Sequence, residues 1–152
     1  MKINVKVNEE IDETEITVFC QEETQEIYSL CDYIRQYVRQ LSGNIYGKQC
    51  KVMINKIYYI ESVDRKVFYY TEDACIESRD TLLKVEQNIR GSSFVRVSKN
   101  CLINISFLQS VEAYENHRLL ATMKNGEQIL VGRAYIQQLK RVVKEGICCG
   151  TL

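Results

Sequence analysis

Two different spacings of apolar residues run along this chain, and the change from one to the other divides it. Residues 1–8 place Ile3, Val5 and Val7 at every second position, the spacing of a half-buried strand. Residues 15–21 predict a second strand of the same kind. From residue 24 to 41 the period lengthens, and Ile27, Leu30, Cys31, Ile34, Val38 and Leu41 fall on one stripe of a helix. Carboxylates lie in its first turn and Arg35 and Arg39 toward its end, as the helix dipole favours. Gly43 and Gly47 are expected to stop it. The front of the chain therefore predicts a small β-β-α segment over residues 1–47.

Beyond residue 48 short strand signals crowd together. Segments 51–54, 57–62, 66–71 and 75–78 predict strands, with turns at Asn55-Lys56 and Glu72-Asp73-Ala74. Asp80 or Thr81 caps a short helix over 82–89 with Leu82, Val85 and Ile89 inward, and Gly91 ends it. Segment 94–97 is extended, whereas 99–104 fits either a strand or a helical turn. Segments 109–114 and 118–123 form a hairpin about Glu115-Asn116-His117, and 128–131 folds back across Lys124-Asn125-Gly126. A last helix over 133–144 turns Ile136, Leu139, Val142 and Val143 inward. The fold class expected is mainly β, α+β overall, with residues 48–152 mostly antiparallel strands and two short helices, preceded by the small β-β-α segment.

Composition narrows the function. At 45% apolar and 26% charged residues the chain is ordinary for a globular protein, and no apolar run approaches the ~20 residues of a membrane helix. A cytoplasmic protein without membrane insertion is expected. The seven cysteines form no C-x-x-C pair and follow no secretory signal, so reduced thiols are expected. Cys148 and Cys149, adjacent near the C-terminus, could oxidise or take up metal adventitiously and carry no function here. Net charge is zero, but its distribution is uneven. Residues 1–32 hold nine carboxylates against two lysines, while residues 33–152 hold 18 Lys or Arg against 11 Asp or Glu. An acidic front thus precedes a body basic enough to meet phosphate.

Enzyme chemistry finds no footing. The lone histidine, His117, sits at a polar hairpin tip, paired zinc-ligand motifs are missing, and no glycine-rich phosphate loop occurs. No cofactor is expected. Tyr58, Tyr59, Tyr69 and Tyr70 fall within strands, where packing explains them better than base stacking.

Three segments in order resemble the LytTR DNA-binding domain: IYYIESVDRKVFYYT (57–71), FVRVSKNCLIN (94–104) and NGEQILVGRAYIQQLK (125–140), with a TLLKVE helix between the first two. The second is similar to the family's F-x-R-x-H-K-S-x-L-V-N, and the third to its closing N-G-x-x-x-x-V-S-R. Ser98 stands where the family has His, Asn100 where it has Ser, and Gly132 where Ser precedes the closing Arg. The resemblance implies a stack of small antiparallel sheets whose loops, rather than a recognition helix, read DNA. It assigns DNA contact to Arg65, Lys99 and Arg133, with Lys66, Asn100 and Arg96 as neighbours. Arginine suits the paired acceptors of guanine, and lysine suits phosphate. The chain has no room for a receiver domain, which implies a stand-alone regulator. Its expected partners are double-stranded DNA, a second copy of the chain at least on DNA, and a possible protein regulator. The acidic front piece is the candidate for dimerisation or partner docking. A protein-interaction module that keeps the scaffold is the alternative function.

Overall fold

The computed structural model describes residues 1–12 and 14–145. The side chain of Val38, and Cys148 and Cys149, lie outside the described residues. The elements run α1 (Gln25–Val38), β1 (Gln40–Ile45), β2 (Lys48–Met53), β3 (Tyr59–Val63), β4 (Lys66–Tyr70), β5 (Cys75–Ser78), α2 (Leu82–Asn88), β6 (Phe94–Ser98), β7 (Cys101–Asn104), β8 (Leu108–Tyr114), β9 (Arg118–Met123), β10 (Gln128–Val131) and α3 (Ile136–Glu145). All strand pairs are antiparallel. The fold is mainly β, as expected, but the small sheets are fewer and larger. Seven strands join in the order β2-β1-β5-β4-β3-β7-β6, and three in the order β10-β9-β8. What unites the large sheet is the pairing of β3 with β7, Tyr59 opposite Ile103 and Ile60 opposite Leu102.

Each face of the large sheet has its own core. Ile60, Val67, Tyr69, Ile76 and Leu102 pack against Leu82 and Val85 of α2 and Ile89 at its C-terminal cap. Val95, Val97, Cys101 and Ile103 pack against Ala121 and Met123 of β9, Val131 of β10 and Leu139 of α3. Strand β7 contributes to both cores, and all four of its residues are buried. That resolves the ambiguity at 99–104: a strand covered on both faces loses the alternation that marks a half-buried one. Helix α2 starts at Thr81, whose hydroxyl accepts the Lys84 N–H. Tyr69 is fully buried with its hydroxyl 2.6 Å from Ser78 Oγ, and Tyr59 stacks on Tyr70 at 4.4 Å. These tyrosines hold the sheet together.

The front of the chain departs from expectation in two ways. Among the described residues before α1 no strand forms, so the β-β part of the predicted β-β-α segment is missing. Ile3, Val5, Val7 and Phe19 stand 84–93% exposed. Alternation alone supplies no partner, and backbone with nothing to pair with does not remain a strand. The helix is real but ends at Val38, and Leu41 belongs to β1, which opens at Gln40. Leu41 continues the helical spacing and Gly43 imitates a helix stop, which hides the strand. Gly43 is there because β1 crosses β5 closely: a Cβ on it would lie 2.5 Å from Ile76 Cγ2 and 2.8 Å from the Glu77 carbonyl oxygen. The large sheet thus begins at Gln40, ahead of the expected division at residue 47. No described helix is long and apolar enough to cross a membrane.

Candidate nucleic-acid interface

Of the residues singled out from sequence, Arg65, Lys66, Lys99, Asn100 and Arg133 fall at strand ends and Arg96 in the middle of β6, and the pairing gathers those ends. Arg65 occupies the two-residue β3–β4 turn, where Asp64 and Arg65 both take left-handed backbone, φ 50° and 67°. This is the twist that tight hairpins favour, though glycine usually supplies it. Lys99 and Asn100 form the β6–β7 turn. Because β3 pairs antiparallel with β7, the two turns lie side by side, and the Ser62 N–H donates to the Asn100 carbonyl at 2.8 Å. Two strand spacings separate the hairpins, about 10 Å. On the far side of β6 the Gly132 N–H donates to the Val97 carbonyl at 2.8 Å. That bond fixes Arg133, which opens the short 3-10 turn leading into α3. A chain of backbone hydrogen bonds therefore runs from the Arg65 turn, through the Lys99 turn, to Arg133.

The cations at these turns are solvent-facing. Arg65, Lys66, Lys99, Asn100 and Arg133 are all exposed. Among the described residues the side chains of Arg65, Lys99 and Arg133 make no ion pair or hydrogen bond. Lys66 differs, since its ammonium lies 3.4 Å from Glu77 on β5, which offsets part of its charge. Behind the turns Cys101 is buried, and burial, helped by the Glu61 carboxylate opposite it, pushes its thiol up to about 12. The same cause raises the Tyr70 hydroxyl to about 12. The three free cations have no carboxylate in ion-pairing contact among the described residues, although half-buried Glu61 of β3 lies behind the turns, opposite Cys101.

By its place in the sequence Arg96 is a neighbour of the contact residues or a plain strand residue, and its role is more specific. Its Nε donates to Glu86 of α2 at 2.8 Å, and its Nη1 donates to the Lys99 carbonyl at 2.8 Å. Arg96 fastens the β6–β7 turn to α2 and is half-buried with its guanidinium engaged on both sides, so it positions the turn. Spacing could not reveal this, because Glu86 lies in another element. Ser98, in place of the resembled histidine, accepts the Asn100 N–H on its hydroxyl at 3.2 Å and so braces the same turn. Gly132 has ordinary backbone, and a Cβ on it would sit 3.2 Å from the Tyr135 ring. His117 is exposed at the β8–β9 tip. No group of three His, Cys, Asp or Glu side chains among the described residues could hold a metal.

Comparison with known proteins agrees with this fold. A solved structure of the LytTr DNA-binding domain of a methyl-accepting/DNA response regulator from Bacillus cereus shares the fold, with a TM-score of 0.64 at 19% identity, covering 68% of this chain and 95% of that one. The sensory transduction protein LytT of Bacillus anthracis is 30% identical over 93 residues, 61% of this chain and 38% of the relative. LytT of Bacillus subtilis (strain 168) is 24% identical over 136 residues, 82% of this chain and 56% of the relative. The chain thus spans well under two thirds of either relative's length. The family model for the LytTr DNA-binding domain matches residues 47–144, from the β1–β2 turn to the last turn of α3, and the chain belongs to that family.

Proposed function

We propose that this protein is a transcriptional regulator that binds double-stranded DNA sequence-specifically and reads the major groove from its turns. Arg65 and Arg133 carry planar forks able to take guanine O6 and N7 together, worth ~1–3 kcal/mol of discrimination per pair. Lys99, a flexible point charge, meets phosphate, flanked by Lys66 and Asn100. The observation that carries this reading is the run of backbone bonds joining the three turns, Ser62 to Asn100 and Gly132 to Val97, which sets their free cations along one end of the fold.

Selecting duplexes from a random pool at physiological salt, then footprinting the winner, tests it. Affinity for the selected site should fall steeply between ~50 and 200 mM salt. Arg133→Ala should relax the choice at one base position, and Lys99→Ala should weaken all sequences alike. If both variants bind the selected duplex as the parent does, the assignment of these residues is refuted.

We also propose that residues 1–24 mediate self-association, so that two copies sit on repeated half-sites. The support is an acidic segment whose alternating apolar side chains stay almost wholly exposed in a single copy. Sedimentation of the full chain carrying Val5→Asp and Val7→Asp should show a monomer where the parent is dimeric. A variant that stays dimeric removes the segment from the interface.

A further inference from the structure

We infer that a fourth turn, the β8–β9 tip, together with Lys140 of α3, grips the phosphate backbone of the same duplex. This rests on the reading above and extends its footprint. The small sheet supplies the connection. Val131 of β10 pairs with Leu119 of β9, so the Gly132–Arg133 junction runs beside Arg118 at the start of β9. The β8–β9 tip therefore continues the row that begins at Arg65 and passes through Lys99 and Arg133. Between the tip and α3 lies an open groove of 610 Å³, lined by Tyr114, His117, Arg118, Arg133 and Lys140 among others. Three permanent cations thus share one concavity, and one of them, Arg133, belongs to the DNA-contacting row proposed above.

Arg118 is held in place rather than loose. Its guanidinium carbon lies 5.6 Å from the Tyr114 ring centroid, and its Nε donates to the Glu115 carbonyl at 3.2 Å. Those contacts use the ring face and one nitrogen. Among the described residues the two outer nitrogens make no hydrogen bond or ion pair, although Glu112 and Glu115 belong to the same hairpin. A planar fork fixed at its base and open at its tip is suited to the non-bridging oxygens of a phosphate. Lys140, exposed one helical turn beyond Ile136, faces the same groove. The left-handed backbone of Asn116 and His117, φ 57° and 59°, folds the tip tightly enough to bring Arg118 to the groove wall. The groove is open and continuous with Arg133, and its lining sets Arg118, Arg133 and Lys140 among apolar Ala113, Leu119 and Ile136; three cations with no carboxylate in the lining favour a duplex strand running past it.

The test measures the slope of log affinity against log salt for the full chain on a selected duplex and on a scrambled one. Lys140→Gln changes an exposed side chain and should flatten the slope by about one, and Arg118→Gln with Lys140→Gln by about two, because each phosphate contact releases about one counterion. The ratio of selected to scrambled affinity should stay within about twofold of the parent's, since phosphate contacts position without specifying. Parental slopes in both variants overturn the inference while leaving the regulator reading intact. A collapsed ratio at unchanged slope also overturns it, by assigning the pair to base edges. If the parent chain shows no salt-dependent duplex binding, the regulator reading fails, and the groove loses its ligand with it.

Discussion

Asn104, the last residue of the FVRVSKNCLIN segment, offers a sharp test of how the scaffold holds its turns. It is fully buried at the end of β7. Its amide nitrogen donates to the Ile57 carbonyl at 2.9 Å, the bond that ties the strand leading into β3 to β7. Its carbonyl oxygen accepts the Ser106 N–H at 3.1 Å and the Ser93 hydroxyl. Replacing it by leucine keeps the bulk and removes all three bonds. The Ile57 carbonyl, at a residue with no exposure, then loses the only partner the side chains give it, which costs about 1–3 kcal/mol. Losing the cap on the following 3-10 turn costs about 1 kcal/mol more. Ser93 and Ser106 are near enough to solvent to recover bonds from water, so they add little. The expected loss is about 2–4 kcal/mol, or roughly 5–15 °C in melting temperature for a domain of this size. Urea denaturation followed by circular dichroism measures it, with Asn104→Asp as a comparison that keeps an acceptor and loses the donor. A leucine variant within about 0.5 kcal/mol of the parent, at equal denaturant slope, would refute the reasoning that this side chain closes the β3–β7 seam.

Further outcomes follow from the same geometry. Gly43→Ala should destabilise by about 2–3 kcal/mol, because its Cβ would meet Ile76 and the Glu77 backbone, whereas Gly132→Ala, facing only a ring edge at 3.2 Å, should stay within about 1 kcal/mol; parallel melts decide. Arg96→Met should lower stability by about 1–2 kcal/mol and also weaken duplex binding, measured by titration, although the residue does not reach the surface of the turns. Cys101 should resist alkylation at pH 8 in the folded protein while exposed Cys20 labels quickly, as mass spectrometry can score. Since burial raises the Cys101 thiol from 9.0 to about 12, its contribution to stability is complete below about pH 9 and fades as pH climbs toward 12. Arg65→Gly should raise stability by about 1 kcal/mol by relieving left-handed backbone, yet bind duplex more weakly, a pairing of effects that only a working side chain would produce.

The sequence disclosed the local elements well wherever punctuation was sharp. Thr81 and Gly91 bracket α2, Asn125-Gly126 marks the β9–β10 turn, and alternation in KVFYY marks β4. It failed where a residue served two patterns at once. Leu41 extended a helical stripe while belonging to a strand, and Gly43 read as a stop while permitting a close crossing. It failed also where alternation implied a strand without any partner backbone, as at Ile3, Val5 and Val7. The candidate site was legible as residue types at turn positions. Its assembly was not, because the bonds that bring the turns together join residues roughly forty positions apart, Ser62 with Asn100 and Val97 with Gly132. Arg96 was legible only as a neighbour of the contact residues, because its partner Glu86 lies on α2, a separate element, and no spacing along the chain joins the two.

The twofold covering of β7 has a dynamic consequence. A strand sealed above and below opens only when both layers part, so its amide hydrogens should be among the slowest in the protein to exchange with solvent. Lys99 and Asn100 hang directly from that strand, while the β2 edge and the front of the chain can fray without disturbing it. A partner approaching the row of cations meets a surface already rigid on the timescale of encounter, and little freedom remains to be lost on binding.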